Sequence, residues 1–409
     1  MTTQMTQVAN EATTLIPYGI VTTSAKGKER DKAMDQHQYY EFGGPWGVTA
    51  MMLIFPVLMY YFWICLWFYD GQLVHPTSVD DIVPFFSRMW DHVRQDAAPT
   101  VYTFTIYTGL MAYELLLAFI MPGYEQQGLP VPSLDYKSLT YYCNALSSFY
   151  ATMITCAFLH LTHLFRLTDI MNNFGSMMTV AMIWGWAASF LTYYITIWNG
   201  SQMRMSGNFF YDFWMGAPLN PRIGLVDLKM WAEVRIPWML LFIIALSGAC
   251  KQYEDYGYVT ANMAFMVLAT GLYLNACAKG EECIPQTWDM YHEKWGFMII
   301  FWNFAGVPFT YCYSIVYMAS HDPSKYHFST PVYVALYALL LTSHYIFDTA
   351  MSQKSRFRMQ MQGITTFRQT FPQWPWSIVK NPSFVQTEHG NRLLTGGWWA
   401  YARKIVRET

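Results

Sequence analysis

Long hydrophobic runs alternate with polar connections along most of this chain. A helix needs about 20 apolar residues to cross the hydrocarbon core of a bilayer. Eight runs meet or approach that length, the fifth being short and the third long enough to tilt: residues 46–68, 101–121, 139–165, 176–198, 236–250, 259–277, 297–318 and 331–347. The pattern predicts an all-α fold, a polytopic integral membrane helix bundle of about eight spans.

Basic residues gather at both ends of the apolar region. One group precedes the first run: Lys26, Lys28, Arg30 and Lys32. Another follows residue 351 and is opposed by only Glu388 and Glu408: Lys354, Arg356, Arg358, Arg368, Lys380, Arg392, Arg403, Lys404 and Arg407. Because Lys-rich and Arg-rich flanks remain in the cytosol, we expect a cytosolic segment at residues 1–45, a membrane bundle at 46–350 and a cytosolic-side segment at 351–409.

The composition excludes several classes of protein. Hydrophobic residues make up 54% of the chain and charged residues 13%, about half the charge of a soluble domain. The aromatic content of 18% excludes an intrinsically disordered chain. A formal net charge of −2 argues against nucleic acid as a partner, since binding to phosphates requires clustered cations. Membrane lipid is the partner that the composition indicates.

The most polar part of the apolar region is a loop followed directly by charged residues. Glycines and prolines in residues 207–224 favour fixed turns rather than a helix. Five charged residues lie at its end or just beyond it: Arg222, Asp227, Lys229, Glu233 and Arg235. Such residues cost about 2.5–3.5 kcal/mol each at the centre of a lipid-facing helix. We therefore expect them to pair or to face a polar cavity, either as a structural cluster or as part of a site.

Four motifs, present in family order, resemble those of the sterol reductase family: residues 207–224, Gly306-Val-Pro-Phe-Thr-Tyr311, Asp348-Thr-Ala-Met-Ser-Gln-Lys-Ser-Arg-Phe-Arg358 and Leu393-Leu-Thr-Gly-Gly-Trp-Trp399. Members reduce sterol double bonds at C-14, C-7 or C-24(28) with NADPH. Three further segments are similar to the fungal C-24(28) reductases of late ergosterol synthesis: Glu41-Phe-Gly-Gly-Pro-Trp46, Asp227-Leu-Lys-Met230 and Phe301-Trp-Asn-Phe-Ala-Gly306. The resemblance implies an enzyme of the endoplasmic reticulum membrane that acts on an ergosta-tetraenol-like sterol.

Two cations follow the last apolar run. Lys354 and Arg358 are four residues apart, so on a continuing helix they share one face. Arginine offers a bidentate fork for a phosphate and lysine a point charge, although basic residues at a cytosolic helix end also serve topology and lipid headgroups. The family resemblance implies that both hold the adenosine phosphates of NADPH, with Leu394 and Trp399 lining the nicotinamide nucleotide pocket. No glycine motif of the Rossmann type follows a predicted strand.

The C-terminal part of the family pattern has no counterpart in this sequence. In family members an Asn-Tyr pair, further spans and a basic segment follow, and they complete the cofactor pocket. Arg403-Lys404-Ile405 is followed here by four residues that match none of these. The resemblance therefore implies a cofactor-binding segment at 351–409 that is incomplete in this chain.

Reduction of an isolated double bond by hydride requires an electrophile. We expect an acid to protonate C-28, which leaves a tertiary cation at C-24 that accepts hydride. A carboxyl group in an apolar pocket can stay protonated at neutral pH. The candidate proton donors are Tyr211, Asp289, Tyr291, His292 and Glu293, four of which stand just before the run at 297–318.

Four other interpretations are possible: a metal enzyme, a reductase of another sterol double bond, a sterol-binding protein and a methyltransferase. His160 and His163 could belong to a membrane di-iron enzyme, but no further histidine box accompanies them, so we predict a polar contact and no metal. A C-14 or C-7 reductase would fit the same family motifs, and a sterol-binding protein without catalysis would fit an incomplete cofactor pocket. Isoprenylcysteine carboxyl methyltransferases resemble the family near the C-terminus, yet they lack Leu219-Asn-Pro-Arg222.

Overall fold

The computed structural model describes residues 40–361, 363, 367–368, 370, 372–386 and 392–402, and the backbone of residues 15–16 and 19–20. The basic group at residues 26–32 and the cations Arg403, Lys404 and Arg407 lie outside the described residues. The predictions of cytosolic ends therefore stay predictions.

Helices account for most of the described chain. In order they are α1 (Gly44–Phe68), α2 (Ile82–Asp96), α3 (Val101–Ile120), α4 (Ala145–Leu161), α5 (Thr168–Asn172), α6 (Phe174–Trp198), α7 (Phe209–Met215), α8 (Leu228–Val234), α9 (Ile236–Tyr256), α10 (Ala261–Lys279), α11 (Trp288–Tyr291), α12 (Phe297–Phe301), α13 (Val307–Thr310), α14 (Tyr313–Ser320) and α15 (Thr330–Met361). The described strands form four antiparallel two-stranded pairs: Leu15–Ile16 with Gly19–Ile20, Tyr124–Val131 with Lys137–Cys143, Arg222–Ile223 with Val226–Asp227, and Phe384–Gln386 with Arg392–Leu394.

Seven helical segments of the described chain are long and apolar enough to cross a membrane. They are Gly44–Phe68, Val101–Ile120, Phe174–Trp198, Leu228–Tyr256, Ala261–Gln286, Phe297–Ser320 and Thr330–Met361, and we number them spans 1 to 7. The all-α polytopic membrane fold predicted from the hydrophobic pattern is confirmed.

The apolar run at residues 139–165 differs from its prediction as a single long span. Its first part is strand Lys137–Cys143, which pairs with Tyr124–Val131, and its second part is the 17-residue helix α4. Asn144 separates the two and donates from its side-chain amide to the carbonyl of Met121 at 2.9 Å. A run rich in aromatic and β-branched residues fits a strand as well as a helix, and hydrophobicity alone does not distinguish them.

Two spans form the centre of the bundle. Spans 4 and 6 bury 67% and 61% of their most apolar stretch, whereas no other span buries more than 33%. They approach closely at Gly248, where a Cβ atom would lie 2.9 Å from Cγ2 of Ile315. Because span 4 begins at Leu228, three of the charged residues predicted to be costly in lipid, Lys229, Glu233 and Arg235, lie on one of the two most buried spans.

Candidate functional site

The charged residues around the start of span 4 find partners inside the protein. Arg222 lies 3.3 Å from the carboxylate of Asp227, and its guanidinium stacks at 4.4 Å on the ring of Tyr141. Lys229 is fully buried and donates to the backbone carbonyls of Asp289 and of Glu293, the latter at 2.7 Å. The expectation that these groups pair or face a cavity is confirmed.

Arg235 ties three helical segments together. Its guanidinium pairs with Glu281 at 3.1 Å and donates to Ser148 at 3.0 Å and to the side-chain oxygen of Asn144. The second oxygen of Glu281 accepts the backbone N–H of Ala145 at 2.6 Å. Both oxygens of the Glu281 carboxylate thus have structural partners, which removes this pair from the candidates for chemistry.

Lys354 and Arg358 lie together on the C-terminal half of α15, as the spacing predicted. Both line a cavity of about 630 Å³, the first cavity, with walls from Tyr124–Val131, the segment Gly280–Gln286 and α15. Neither cation pairs with a carboxylate among the described residues. Two adjacent cations without a carboxylate partner, facing a cavity of ligand size, make a site for an anionic group.

A third cation of the first cavity is already paired. Arg368 lies 3.5 Å from the carboxylate of Glu282 and 4.3 Å from the ring of Tyr124. The hydroxyl of Tyr124 donates to Glu282 at 3.0 Å. Burial, reinforced by the Glu282 carboxylate, raises the pKa of Tyr124, so its hydroxyl stays protonated and holds that carboxylate in place.

The segment carrying Leu394 and Trp399 docks on α15. The side-chain oxygen of Gln353 accepts the backbone N–H of Trp398 at 2.9 Å, and the indole N–H of Trp399 donates to the carbonyl of Ala350 at 2.9 Å. The ammonium of Lys354 lies 5.1 Å above the Trp399 ring. Trp399 therefore adjoins the cation pair, whereas Leu394 is buried in the pairing of Arg392–Leu394 with Phe384–Gln386 and does not line the first cavity.

Gly397 makes this docking possible. Its φ is +63°, and a Cβ atom there would lie 2.3 Å from the Gln353 side-chain oxygen. We expect Gly397→Ala to weaken docking of residues 392–402 by about 1–3 kcal/mol, the cost of forcing an extra methyl group into a packed contact, seen as faster amide hydrogen exchange there. Gly363→Ala is the matched control, because Gly363 has a φ of +80° but nothing within 4 Å. Equal exchange in both variants would contradict the close contact.

Two more cavities adjoin the first in turn. The second, of about 270 Å³, shares six residues with it, among them Cys283, Met351 and Ser355. The third, of about 460 Å³, is lined by Glu41, Phe42, Glu233, Asp289, Glu293, Met298, Ile299, Trp302 and Asn303. Glu233 lines both the second and the third cavities. The three cavities are therefore neighbours in series, from the cation pair on α15 to the carboxylates near span 6.

The five candidate proton donors do not all line the same cavity. Asp289 and Glu293 line the third cavity, and Glu293 accepts the indole N–H of Trp288 at 2.5 Å. Tyr211 is buried beside this cavity, and its hydroxyl accepts the backbone N–H of Glu41 at 3.1 Å. Burial raises the pKa of Tyr211, so its hydroxyl remains protonated.

Tyr291 and His292 point elsewhere. His292 lies 4.0 Å, between ring centroids, from Trp288, and a guanidinium N–H of Arg204 lies 3.0 Å from its ring. Tyr291 packs at 5.4 Å against the same Trp288. Neither lines the three cavities. His160, the first residue of the possible metal motif, is 3.2 Å from the backbone N–H of Leu167, a polar contact as expected.

Sequence reasoning did not single out Glu233 as a site residue. The sequence did contain an indication of its role, because Lys229 and Glu233 stand one helical turn apart at the start of an apolar span. What the sequence lacked was the position of the third cavity, which depends on Trp302 and Asn303. These belong to a π-helical turn, Trp302–Gly306, a feature often found at functional sites.

Comparison with known proteins agrees with these features. Residues 36–407 match the model of the ergosterol biosynthesis ERG4/ERG24 family. Delta(24(24(1)))-sterol reductase erg4A of Aspergillus fumigatus is 44% identical over 367 residues, 90% of this chain and 78% of that relative. Delta(24(24(1)))-sterol reductase of Gibberella zeae is 41% identical over 92% of this chain, which spans 63% of that relative.

A bacterial relative is more distant. Delta(14)-sterol reductase of Methylotuvimicrobium alcaliphilum is 33% identical over 371 residues, 90% of this chain and 80% of the relative. A family match over most of the chain, with relatives above 40% identity, is decisive. The chain belongs to the ergosterol biosynthesis ERG4/ERG24 family of sterol reductases.

Proposed function

We propose that this protein reduces the C-24(28) double bond of a sterol side chain with NADPH, as a multi-pass enzyme of the endoplasmic reticulum membrane. The observation that carries the proposal is the difference in identity, 44% and 41% to two fungal Delta(24(24(1)))-sterol reductases against 33% to a Delta(14)-sterol reductase. The ergosta-tetraenol-like substrate, the cytosolic termini and the division at residues 45 and 350 belong to the same proposal.

The residues of the first cavity fit a phosphorylated dinucleotide. Lys354 and Arg358 are free of carboxylate partners within the described chain, and Trp399 places an aromatic face beside Lys354. Arg358 would grip a phosphate through its fork and Lys354 through its point charge, while Trp399 offers a stacking surface. When bound, NADPH supplies the hydride; the role of these residues is to hold and orient it.

The apolar part of the second cavity suits the sterol side chain. Trp238 from span 4 and Phe347 from span 7 line it together with Ala276 and Met351. The side chain would enter between these spans, and their rings would exclude water and face the cation that develops at C-24. The first cavity, which shares lining residues with the second, would then hold the hydride donor.

Expression in yeast cells that lack C-24(28) reduction tests the proposal. We expect the 409-residue chain to restore ergosterol at the expense of the C-24(28)-unsaturated precursor, measured by gas chromatography and mass spectrometry. Parallel strains that lack C-14 reduction are the control. Rescue of those strains alone would support the alternative activity, and sterol binding without any reduction would support a non-catalytic protein; either result contradicts the proposal.

A further inference from the structure

We propose that Glu233 is the acid that protonates the sterol alkene, an inference that rests on the proposed function. Glu233 lies on α8, one turn into span 4, and lines both the second and the third cavities. Within the described part of the chain, it is the one residue that these two cavities share. A proton donor must contact the alkene on one side and be recharged from water on the other, and this position meets both requirements.

The environment of Glu233 supports proton donation. Lys229 precedes it by one helical turn, and the two side chains interact electrostatically. The Lys229 ammonium is held by the backbone carbonyls of Asp289 and Glu293 and so stays in place. It balances the negative charge that appears on Glu233 when the proton leaves, and such preorganised charge lowers the barrier to proton transfer.

The third cavity supplies the recharging path. Asp289 is exposed, Glu293 lines the cavity with it, and both interact electrostatically with Glu233. These carboxylates pass protons from water to Glu233. Neither of them lines the second cavity. This arrangement assigns Asp289 and Glu293 to proton supply, and Glu233 to the step on the substrate.

The Glu233 O–H bond breaks, the alkene electron pair forms a C–H bond at C-28, and C-24 becomes a tertiary cation. Hydride supplied by NADPH forms the C–H bond at C-24. Glu233 then regains a proton from water through the third cavity, so that one alkene, one NADPH and one proton yield one reduced sterol and NADP⁺.

Single-turnover measurements on the purified 409-residue chain test this role. We expect Glu233→Gln to reduce the rate of sterol reduction by about 10²–10⁴-fold, the usual contribution of a general acid. The affinities for NADPH, measured by fluorescence, and for the C-24(28)-unsaturated sterol should change less than about threefold. Glu233→Asp, which keeps a carboxyl group, should be faster than Glu233→Gln.

Glu254→Gln is the matched control on the same span. Glu254 pairs with Arg166 at the surface, and its substitution should leave the rate and both affinities unchanged. A Glu233→Gln variant with the wild-type rate overturns the inference, and so does one that loses both ligands, because its role is then structural. If the wild-type chain reduces no C-24(28) double bond, the proposed function itself fails and the inference fails with it.

Discussion

Replacing Lys354 and Arg358 together by methionine is expected to weaken NADPH binding at least about a hundredfold. Each cation would make charge-assisted hydrogen bonds to a phosphate, which contribute about 1.5–3 kcal/mol apiece. Two such losses amount to about 3–6 kcal/mol, or about 10²–10⁴ in affinity. Because neither cation has a carboxylate partner in the described chain, their removal leaves no buried acid unpaired. Titration of NADPH fluorescence with the purified protein measures the change.

The control removes the same charge elsewhere. Lys251 and Arg166 pair at the surface with Asp255 at 2.9 Å and with Glu254, so the double variant Lys251→Met and Arg166→Met has the same net charge as the test variant. We expect its NADPH affinity to match the wild type. If NADPH affinity is unchanged after loss of Lys354 and Arg358, the cofactor does not bind in the first cavity. The two cations would then serve topology or the binding of lipid headgroups.

Arg235→Met is expected to destabilise the folded protein by about 3–5 kcal/mol. The substitution leaves the carboxylate of Glu281 buried, 1% exposed, without its guanidinium partner, and an uncompensated buried charge has about this cost. It also removes the two hydrogen bonds that Arg235 donates to Ser148 and Asn144. Their loss loosens the packing of α4 against spans 4 and 5. Thermal unfolding in detergent micelles, followed by far-ultraviolet circular dichroism, reports the loss.

Two variants isolate the cause. Arg166→Met breaks an ion pair whose side chains are 53% and 33% exposed, and exposed pairs contribute only about 0–1 kcal/mol. Arg235→Met combined with Glu281→Met should recover part of the stability, because the buried Glu281 charge is then no longer left without its partner. If Arg235→Met unfolds at the wild-type temperature, the buried network does not hold these helices together.

The sequence could predict the parts of this fold that depend on local pattern. Hydrophobic length located the spans, and the spacing of Lys354 and Arg358 placed both on one helix face, which α15 confirms. The run at 139–165 was ambiguous because aromatic and β-branched residues suit both strand and helix. Asn144 interrupts that run through contacts with carbonyls of α3, which no local pattern contains.

The candidate site was predictable only in part. The density of charge from Arg222 to Arg235 indicated pairing, but the partner of Arg235 is 46 residues away and is set by tertiary packing. The importance of Glu233 depends on two cavities that meet at its side chain. Conversely, Asp289, Tyr291, His292 and Glu293 are adjacent in sequence, yet only Asp289 and Glu293 line the third cavity, because a short helix directs neighbouring side chains to different sides.

The central claim is that this chain transfers hydride from a cofactor in the first cavity to a sterol alkene in the second. The most direct test supplies the purified protein with NADPH carrying two deuterium atoms at C-4 of the nicotinamide, together with a C-24(28)-unsaturated sterol. We predict a reduced sterol that contains one deuterium, at C-24, by mass spectrometry and nuclear magnetic resonance. A reduced sterol without deuterium, or no reduced sterol at all, would contradict the account.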